Sequence, residues 1–146
     1  VRWKLAYVGK PSLAYAKAGS AEYLKRLQRY TNVDTVSVRA DAKEAESAAL
    51  LKATEGTLRI CLDERGELIR TDQWVERIND WELDGLKGAS LLLGGADGHT
   101  EELRDACDQV WCLSGLTLQH ELALVVILEG LYRCYTIKRG EPYHRP

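Results

Sequence analysis

Tyr143, His144 and Arg145 lie in the run Pro142-Tyr143-His144-Arg145, just before the last residue of a 146-residue chain. They combine a ring that stacks, an imidazole that titrates near neutral pH and a guanidinium that can grip a phosphate in two places. The end of a chain of this size ordinarily frays into solvent, so chemistry there needs partners from upstream. Two stretches offer them. Leu93-Gly94-Gly95-Ala96-Asp97-Gly98 places three glycines within five residues, directly after an apolar run. Such a loop is either a tight turn or a stretch of backbone cleared for a ligand, and both readings stay open. It lacks the G-x-G-x-x-G spacing and the Gly-Lys-Ser/Thr ending of phosphate loops. Leu113-Ser114-Gly115-Leu116-Thr117-Leu118-Gln119-His120 mixes small and hydroxylic residues with leucines. Its backbone can meet the edge of an uncharged aromatic ring while Leu116 and Leu118 cover the faces.

The elements that must position these residues follow from periodicity. Trp3 to Val8 alternates as a strand and stops at Gly9, and helical spacing through Leu13, Ala16, Leu24 and Leu27 runs to Tyr30. Val33 to Val38 is β-branched, and Asp41 is placed to cap an alanine-rich helix from Ala42 to Thr54. Leu58 to Leu62 reads as a buried strand stopped by Asp63-Glu64-Arg65-Gly66. Thr71 or Asp72 is then placed to cap a helix carrying Trp74, Val75, Ile78 and Trp81. A strand over Ala89 to Leu93, a short helix over Thr100 to Ala106, a strand over Val110 to Leu113 and a long helix from Gln119 to Lys138 complete the order. Strands alternating with helices predict a single α/β domain over residues 1–146, with a mainly parallel sheet covered by helices on both faces. Ligands are expected outside the carboxyl ends of the strands, which selects the loops Leu62–Gly66, Gly94–Thr100 and Leu113–His120.

Composition narrows the class. A hydrophobic share of 45% with 29% charged residues is ordinary for a globular protein, and the longest apolar run, Leu122 to Leu128, is far short of the ~20 residues that span a bilayer. No export segment is recognisable, so a cytoplasmic location is expected. The four cysteines lack C-x-x-C pairing and read as reduced thiols, and the three histidines are too scattered for a zinc site, so no metal is expected. The net charge of −2 hides an uneven distribution. Residues 1–40 carry eight Lys/Arg against two acids, residues 41–108 eight against seventeen, and residues 109–146 four against three. Basic ends around an acidic body can form one cationic face for phosphates. The last helix is apolar around most of its circumference from Leu122 to Leu128, which predicts that it packs on a second copy of the chain as well as on its own core.

Four motifs in order carry a resemblance: L-G-G-x-x-G from Leu93, L-S-x-L-T-L-x-H from Leu113, E-x-L-Y-R from Glu129, and the closing P-Y-H-R. Together with the opening strand, the third strand and the length, they closely resemble the ribosomal RNA large subunit methyltransferase H family of SPOUT methyltransferases over essentially the whole chain. The resemblance implies a C-terminal deep trefoil knot, which runs against the usual rule of unthreaded chains. It also implies transfer of a methyl group from S-adenosylmethionine to N3 of a pseudouridine in a stem-loop of 23S large-subunit rRNA, within a ribosome or subunit.

By position, the resemblance assigns Leu62, Gly94, Leu113, Ser114, Gly115, Leu116, Thr117 and Leu118 to the cofactor. It assigns Glu129, Arg133, Tyr143, His144 and Arg145 to a catalytic site completed by the tail of the partner in a homodimer. Glu129 and Arg133 lie four apart on the last helix, where they can pair with each other or face the substrate together. Three positions depart from the family pattern: Ala96 and Gln119 stand where proline is common, and Leu124 where arginine is usual. Leu124 raises a second reading, a SPOUT methyltransferase with a different RNA target. A third is an α/β ligand-binding module without catalysis.

Overall fold

The computed structural model describes all residues, Val1–Pro146. Five strands, β1 (Arg2–Val8), β2 (Val33–Val38), β3 (Leu58–Leu68), β4 (Gly88–Leu93) and β5 (Gln109–Cys112), form one sheet in the order β2-β1-β4-β3-β5, with every pairing parallel. Helices α1 (Ala14–Leu27), α2 (Lys43–Ala53), α3 (Thr71–Leu83), α4 (Glu101–Ala106) and α5 (His120–Lys138) supply the connections. The α/β class and the strand order in sequence agree with the periodicity.

Alternation along the strands divides the core into two layers. Trp3 and Leu5 of β1, Ile60 of β3, Leu91 and Leu93 of β4 and Trp111 of β5 face α1, α3 and α5, joining Leu27, Trp74, Ile78, Trp81 and Leu131. Their neighbours Ala6, Val8, Cys61 and Leu92 turn to the other side, against Leu50 of α2 and Leu103 of α4. Helices therefore cover both faces. The chain has no phenylalanine, and four tryptophans fill the larger layer. Trp74 meets Trp3 and Trp111 edge-on at 6.0 and 5.4 Å between ring centroids, and Trp81 stacks on Trp111 at 6.5 Å. Such pairs add about 0.5–1.5 kcal/mol each beyond their buried area.

β3 corrects the sequence reading. It does not stop at Asp63-Glu64-Arg65-Gly66 but resumes, because Trp111 of β5 pairs with both Leu62 and Glu67, and Cys112 pairs with Leu68. The four intervening residues are looped out as an extended bulge. Gly66 makes this possible. A Cβ there would collide with the carbonyl of Val110 and lie 2.6 Å from the amide nitrogen of Trp111, so only glycine lets the two backbones close again.

Helix starts differ from expectation as well. Asp41 is not the cap of α2: Ala42 is, without a side-chain bond, while Glu46 reaches back to accept from the amide of Asp41 at 2.9 Å. Neither Thr71 nor Asp72 caps α3. Arg70 holds that position, its amide donating to Gln73 Oε1 at 2.9 Å. The start of α1 is held from a distance, by Glu121 of α5. Its carboxylate accepts from the amides of Ser12 and Leu13 at 2.6 and 3.0 Å and from the Ser12 hydroxyl at 3.0 Å. Those amides, that of Leu13 foremost, hold the Glu121 carboxyl below its ordinary pKa.

Two stability predictions follow from these contacts. Gly66→Ala is expected to lower unfolding free energy by about 1–3 kcal/mol, the usual cost of forcing atoms into a filled site, and urea denaturation checks it. The depressed folded-state pKa of Glu121 means its contribution is complete above the ordinary carboxylate value of about 4.3 and is lost as pH falls through the folded value. Glu121→Gln is therefore expected to be less stable than the parent at pH 7 and to match it in strong acid; a gap that persists unchanged in acid would show that the carboxylate is not its source.

Candidate active site

Because β4, β3 and β5 are neighbours in the sheet and run the same way, the segments leaving their carboxyl ends meet at one edge. There they enclose a cavity of about 310 Å³, at the small end of the range for small-molecule sites. Its walls come from the β3 bulge (Leu62 to Arg65), the glycine loop (Leu93 to Gly98), the segment after β5 and the start of α5 at His120 and Ala123.

Each segment is held by local bonds. In the bulge, Asp63 has a side chain only 4% exposed, and it accepts from the Arg65 amide at 2.9 Å and pairs with Arg65 and Arg104 at 3.3 and 3.4 Å. Arg104 also donates to the carbonyl of His99 at 2.9 Å, tying the bulge to the glycine loop. His99 is buried, with Nε2 at 3.1 Å from the carbonyl of Leu92. A carbonyl only accepts, so Nε2 carries the proton; burial pushes the pKa of His99 down and keeps the ring neutral. The glycine loop closes through a bond from the Gly98 amide to the Gly95 carbonyl at 3.1 Å, with Gly98 at φ 76°.

The tight-turn reading of the paired glycines is the one the geometry shows. A Cβ on Gly94 would lie 2.9 Å from the carbonyl carbon of Gly98, so its missing side chain makes room for the turn itself, and the turn lines the cavity. After β5, the Leu116 amide donates to Ser114 Oγ and the Cys112 thiol to the Ser114 carbonyl, both at 2.9 Å.

Of the residues assigned to the cofactor, Leu62, Gly94, Leu113, Ser114, Leu116, Thr117 and Leu118 line the cavity, whereas Gly115 does not. Sequence reasoning did not single out Cys112 or Ala123, whose apolar surroundings read simply as core. The cavity offers backbone groups, apolar walls and the carboxylates of Asp63, Glu64 and Asp97. With Asp63 already paired to arginines, backbone groups and apolar walls beside Glu64, Arg65 and Asp97 fit a small ligand that is part apolar and part charged, and no group of His, Cys, Asp and Glu is arranged to hold a metal ion.

The second cluster forms on α5. Glu129 and Arg133 pair at 2.8 Å, with Nε of Arg133 also donating at 3.2 Å. The tail folds back onto this pair. Tyr143 donates to Glu129 Oε2 at 2.9 Å and lies 3.2 Å from the hydroxyl of Tyr23 on α1, packs edge-on against Tyr132 at 4.8 Å and lies beneath the Arg133 guanidinium at 4.7 Å. Nδ1 of His144 lies 3.2 Å from Arg133 Nη1. Upstream, Tyr30 donates to Glu141 at 2.5 Å, and that bond pushes the Tyr30 pKa up to about 12. Burial, then the bonds to Tyr23 and Glu129, raise the pKa of Tyr143, and Glu129 raises that of Arg133. Arg145 is exposed.

The clusters are separate within one chain. None of Glu129, Arg133, Tyr143 or His144 lines the cavity, and along α5 Glu129 and Arg133 lie about 9 and 15 Å beyond Ala123. Leu124 is 4% exposed in the core, so it cannot stand in for a surface arginine. No helix is long and apolar enough to cross a membrane.

Residues 1–144 match the family model described as "Predicted SPOUT methyltransferase". The chain belongs to the SPOUT methyltransferase family. It is similar to proteins named ribosomal RNA large subunit methyltransferase H: one from Thermus thermophilus is 44% identical over 146 residues, covering 100% of both chains, and one from Deinococcus radiodurans is 43% identical over 145 residues, covering 99% of each. Among solved structures, a probable methyltransferase from Bordetella pertussis superposes with a TM-score of 0.63 at 15% identity, covering 92% of this chain and 94% of that one. The tRNA (m1G37) methyltransferase of Aquifex aeolicus gives 0.56 at 13% identity, covering 100% and 77%. These two share the fold. SPOUT membership also implies the trefoil knot.

Gly94→Val is expected to displace the Gly98 backbone, deform the cavity and lower S-adenosylmethionine affinity at least tenfold, as a clash of more than ~1.4 kcal/mol would. Calorimetry on the folded variant checks it, and unchanged affinity would remove the glycine loop from the binding site.

Proposed function

We propose that this SPOUT methyltransferase uses S-adenosylmethionine to methylate N3 of a pseudouridine in a 23S large-subunit rRNA stem-loop, within a ribosome or subunit in the cytoplasm, and that it works as a homodimer. Full-length similarity to proteins carrying that rRNA name supports the substrate class. The observation that carries the homodimer is the separation between a cavity built for the cofactor and a cluster built for catalysis. One chain cannot bring them together, whereas a second copy packed on α5 can set the tail of one against the cavity of the other. Leu122, Val125 and Val126 remain partly exposed on α5, next to exposed Leu13 and Tyr15 at the start of α1, and give such a contact its apolar surface.

In this reading, Gly94 and the run Leu113–Leu118 hold the cofactor, with Gly115 at the rim of that loop. When bound, the cofactor supplies an electrophilic methyl group: the N3 lone pair forms the new N–CH3 bond as the S–CH3 electron pair returns to sulfur. The chain's own residues have to orient N3 and favour loss of its proton, and orientation alone can supply several kcal/mol of the barrier. Arg133, Arg145 and His144 act at the uracil ring and its phosphates, while Glu129 and Tyr143 hold them in place.

Complementation tests the shared site. Gly94→Val and His144→Ala, each expected to be strongly impaired alone at limiting cofactor, form heterodimers in which one site of the two is intact. Random exchange should restore about a quarter of parental activity on ribosomal substrate. Heterodimers confirmed by native mass spectrometry and wholly inactive would return both clusters to a single chain.

A further inference from the structure

The hydrogen bonds around the tail have only one possible direction. Glu129 as a carboxylate accepts and cannot donate; Arg133 donates and cannot accept. Tyr143, whose pKa is raised, is a phenol and must give its single proton to Glu129 Oε2, 2.9 Å away. Its oxygen is then left to accept from the Tyr23 hydroxyl at 3.2 Å. On the other side of Glu129, Arg133 donates through Nε and Nη2 to the carboxylate, and its remaining Nη1 faces Nδ1 of His144 at 3.2 Å. A guanidinium facing Nδ1 requires a lone pair there. Turning the ring over would set a C–H against an N–H and lose the bond, so the ring orientation is fixed by the same rule. A neutral His144 therefore carries its proton on Nε2, which makes no bond within the chain.

We propose that the chain Tyr23–Tyr143–Glu129–Arg133–His144 presents His144 to the substrate as a hydrogen-bond donor through Nε2–H, and that His144 stabilises charge on a uracil carbonyl oxygen instead of removing the N3 proton. This rests on the reading of the reaction as N3 methylation. As the N3–H proton leaves to water, the negative charge spreads onto the two carbonyl oxygens that flank N3. A donor aimed at either oxygen stabilises that anion and the transition state leading from it. A neutral imidazole with its only lone pair held by Arg133 has nothing with which to take the proton. Tyr23, on α1 and apart from both α5 and the tail, orients the Tyr143 hydroxyl and so belongs among the positioning residues.

Two measurements on the full-length protein decide it. Two-bond proton–nitrogen correlation of the 15N-labelled histidines at about pH 8.5, above the ordinary titration of imidazole, should show His144 with bare Nδ1 and protonated Nε2. In Arg133→Met the same signals should shift to the tautomer mixture of a free imidazole. In single-turnover methylation of ribosomal substrate, His144→Ala should lose roughly 10²- to 10³-fold, while His144→Gln, which can donate near the position of Nε2 but cannot act as a base, should stay within about tenfold of the parent with the same pH dependence. A protonated Nδ1, or His144→Gln as inactive as His144→Ala, would overturn the proposal. A parent enzyme that leaves rRNA unmethylated would instead overturn the reading of the reaction and the role at the ring, with the nitrogen correlation still deciding the tautomer.

Discussion

The contact of the Gly66 backbone with Val110 and Trp111 governs how the cavity edge is built. Two strands that had separated after Leu62 and Trp111 can pair again only because no side chain stands between them. The excess length of β3, Asp63 to Gly66, is then looped out, with Gly66 at the closing contact. Buried Asp63 turns this geometric consequence into a joint. It holds Arg104, Arg104 holds the carbonyl of His99, and the His99 ring holds the carbonyl of Leu92 at the end of β4. The ends of β3 and β4 are thus fixed to one another by a buried carboxylate, a guanidinium and a neutral imidazole, so the cavity beside them is shaped before any ligand arrives.

The second cluster obeys different energetics. The Glu129–Arg133 pair is partly exposed, each side chain at 27%, and an i,i+4 pair of that kind contributes only about 0.3–0.5 kcal/mol to stability. So small a contribution would not account for three more side chains converging on it. What the pair supplies is polarity: one end can only accept, the other can only donate, and every hydroxyl and ring nitrogen placed between or beside them loses its freedom to choose. The tail residues become ordered without entering the core. Tyr143 packs on Tyr132 and lies beneath Arg133, while His144 is left at the surface with one nitrogen spoken for.

Much of this was legible in the sequence because it depends on local periodicity. Alternation marked β1, β-branched and apolar runs marked the other four strands, and the 3.6-residue spacing of Trp74, Ile78 and Trp81 marked α3; the convergence of loops at the strand ends followed from a parallel sheet. Long-range features were not legible. Asp63-Glu64-Arg65-Gly66 has the composition of a turn, and nothing local tells that β5 waits on the far side to resume pairing. The segments leading into α1 and α2 are held by carboxylates 108 and five residues away, at Glu121 and Glu46, so the nearest polar residue was the wrong guide to a cap. Tyr23 gave no signal because its partner lies 120 residues on. The separation of cavity and tail cluster was equally hidden: a resemblance assigns residues by position, whereas the distance between them within the chain is set by long-range packing.

Two of the departures from the family pattern, Gln119 and Leu124, find physical substitutes in place, and nothing in the structure explains Ala96. A proline before the first helical residue of α5 would fix the chain's entry angle through its ring. Gln119 does so by bonding: its Oε1 accepts from the amides of Glu121 and Leu122 at 2.9 and 3.0 Å, taking up two of the free donors that every helix start exposes. Glu121, fixed by that turn, then reaches the start of α1. Rigidity that a ring would impose covalently is thereby recovered from hydrogen bonds that also join two helices beside the cavity. Leu124 follows the same logic in the core. Its side chain adds apolar volume among Ile127, Leu128 and Leu131, where a guanidinium would need a buried partner that the chain does not provide, so the loss of a cation at this position is matched by the packing around it.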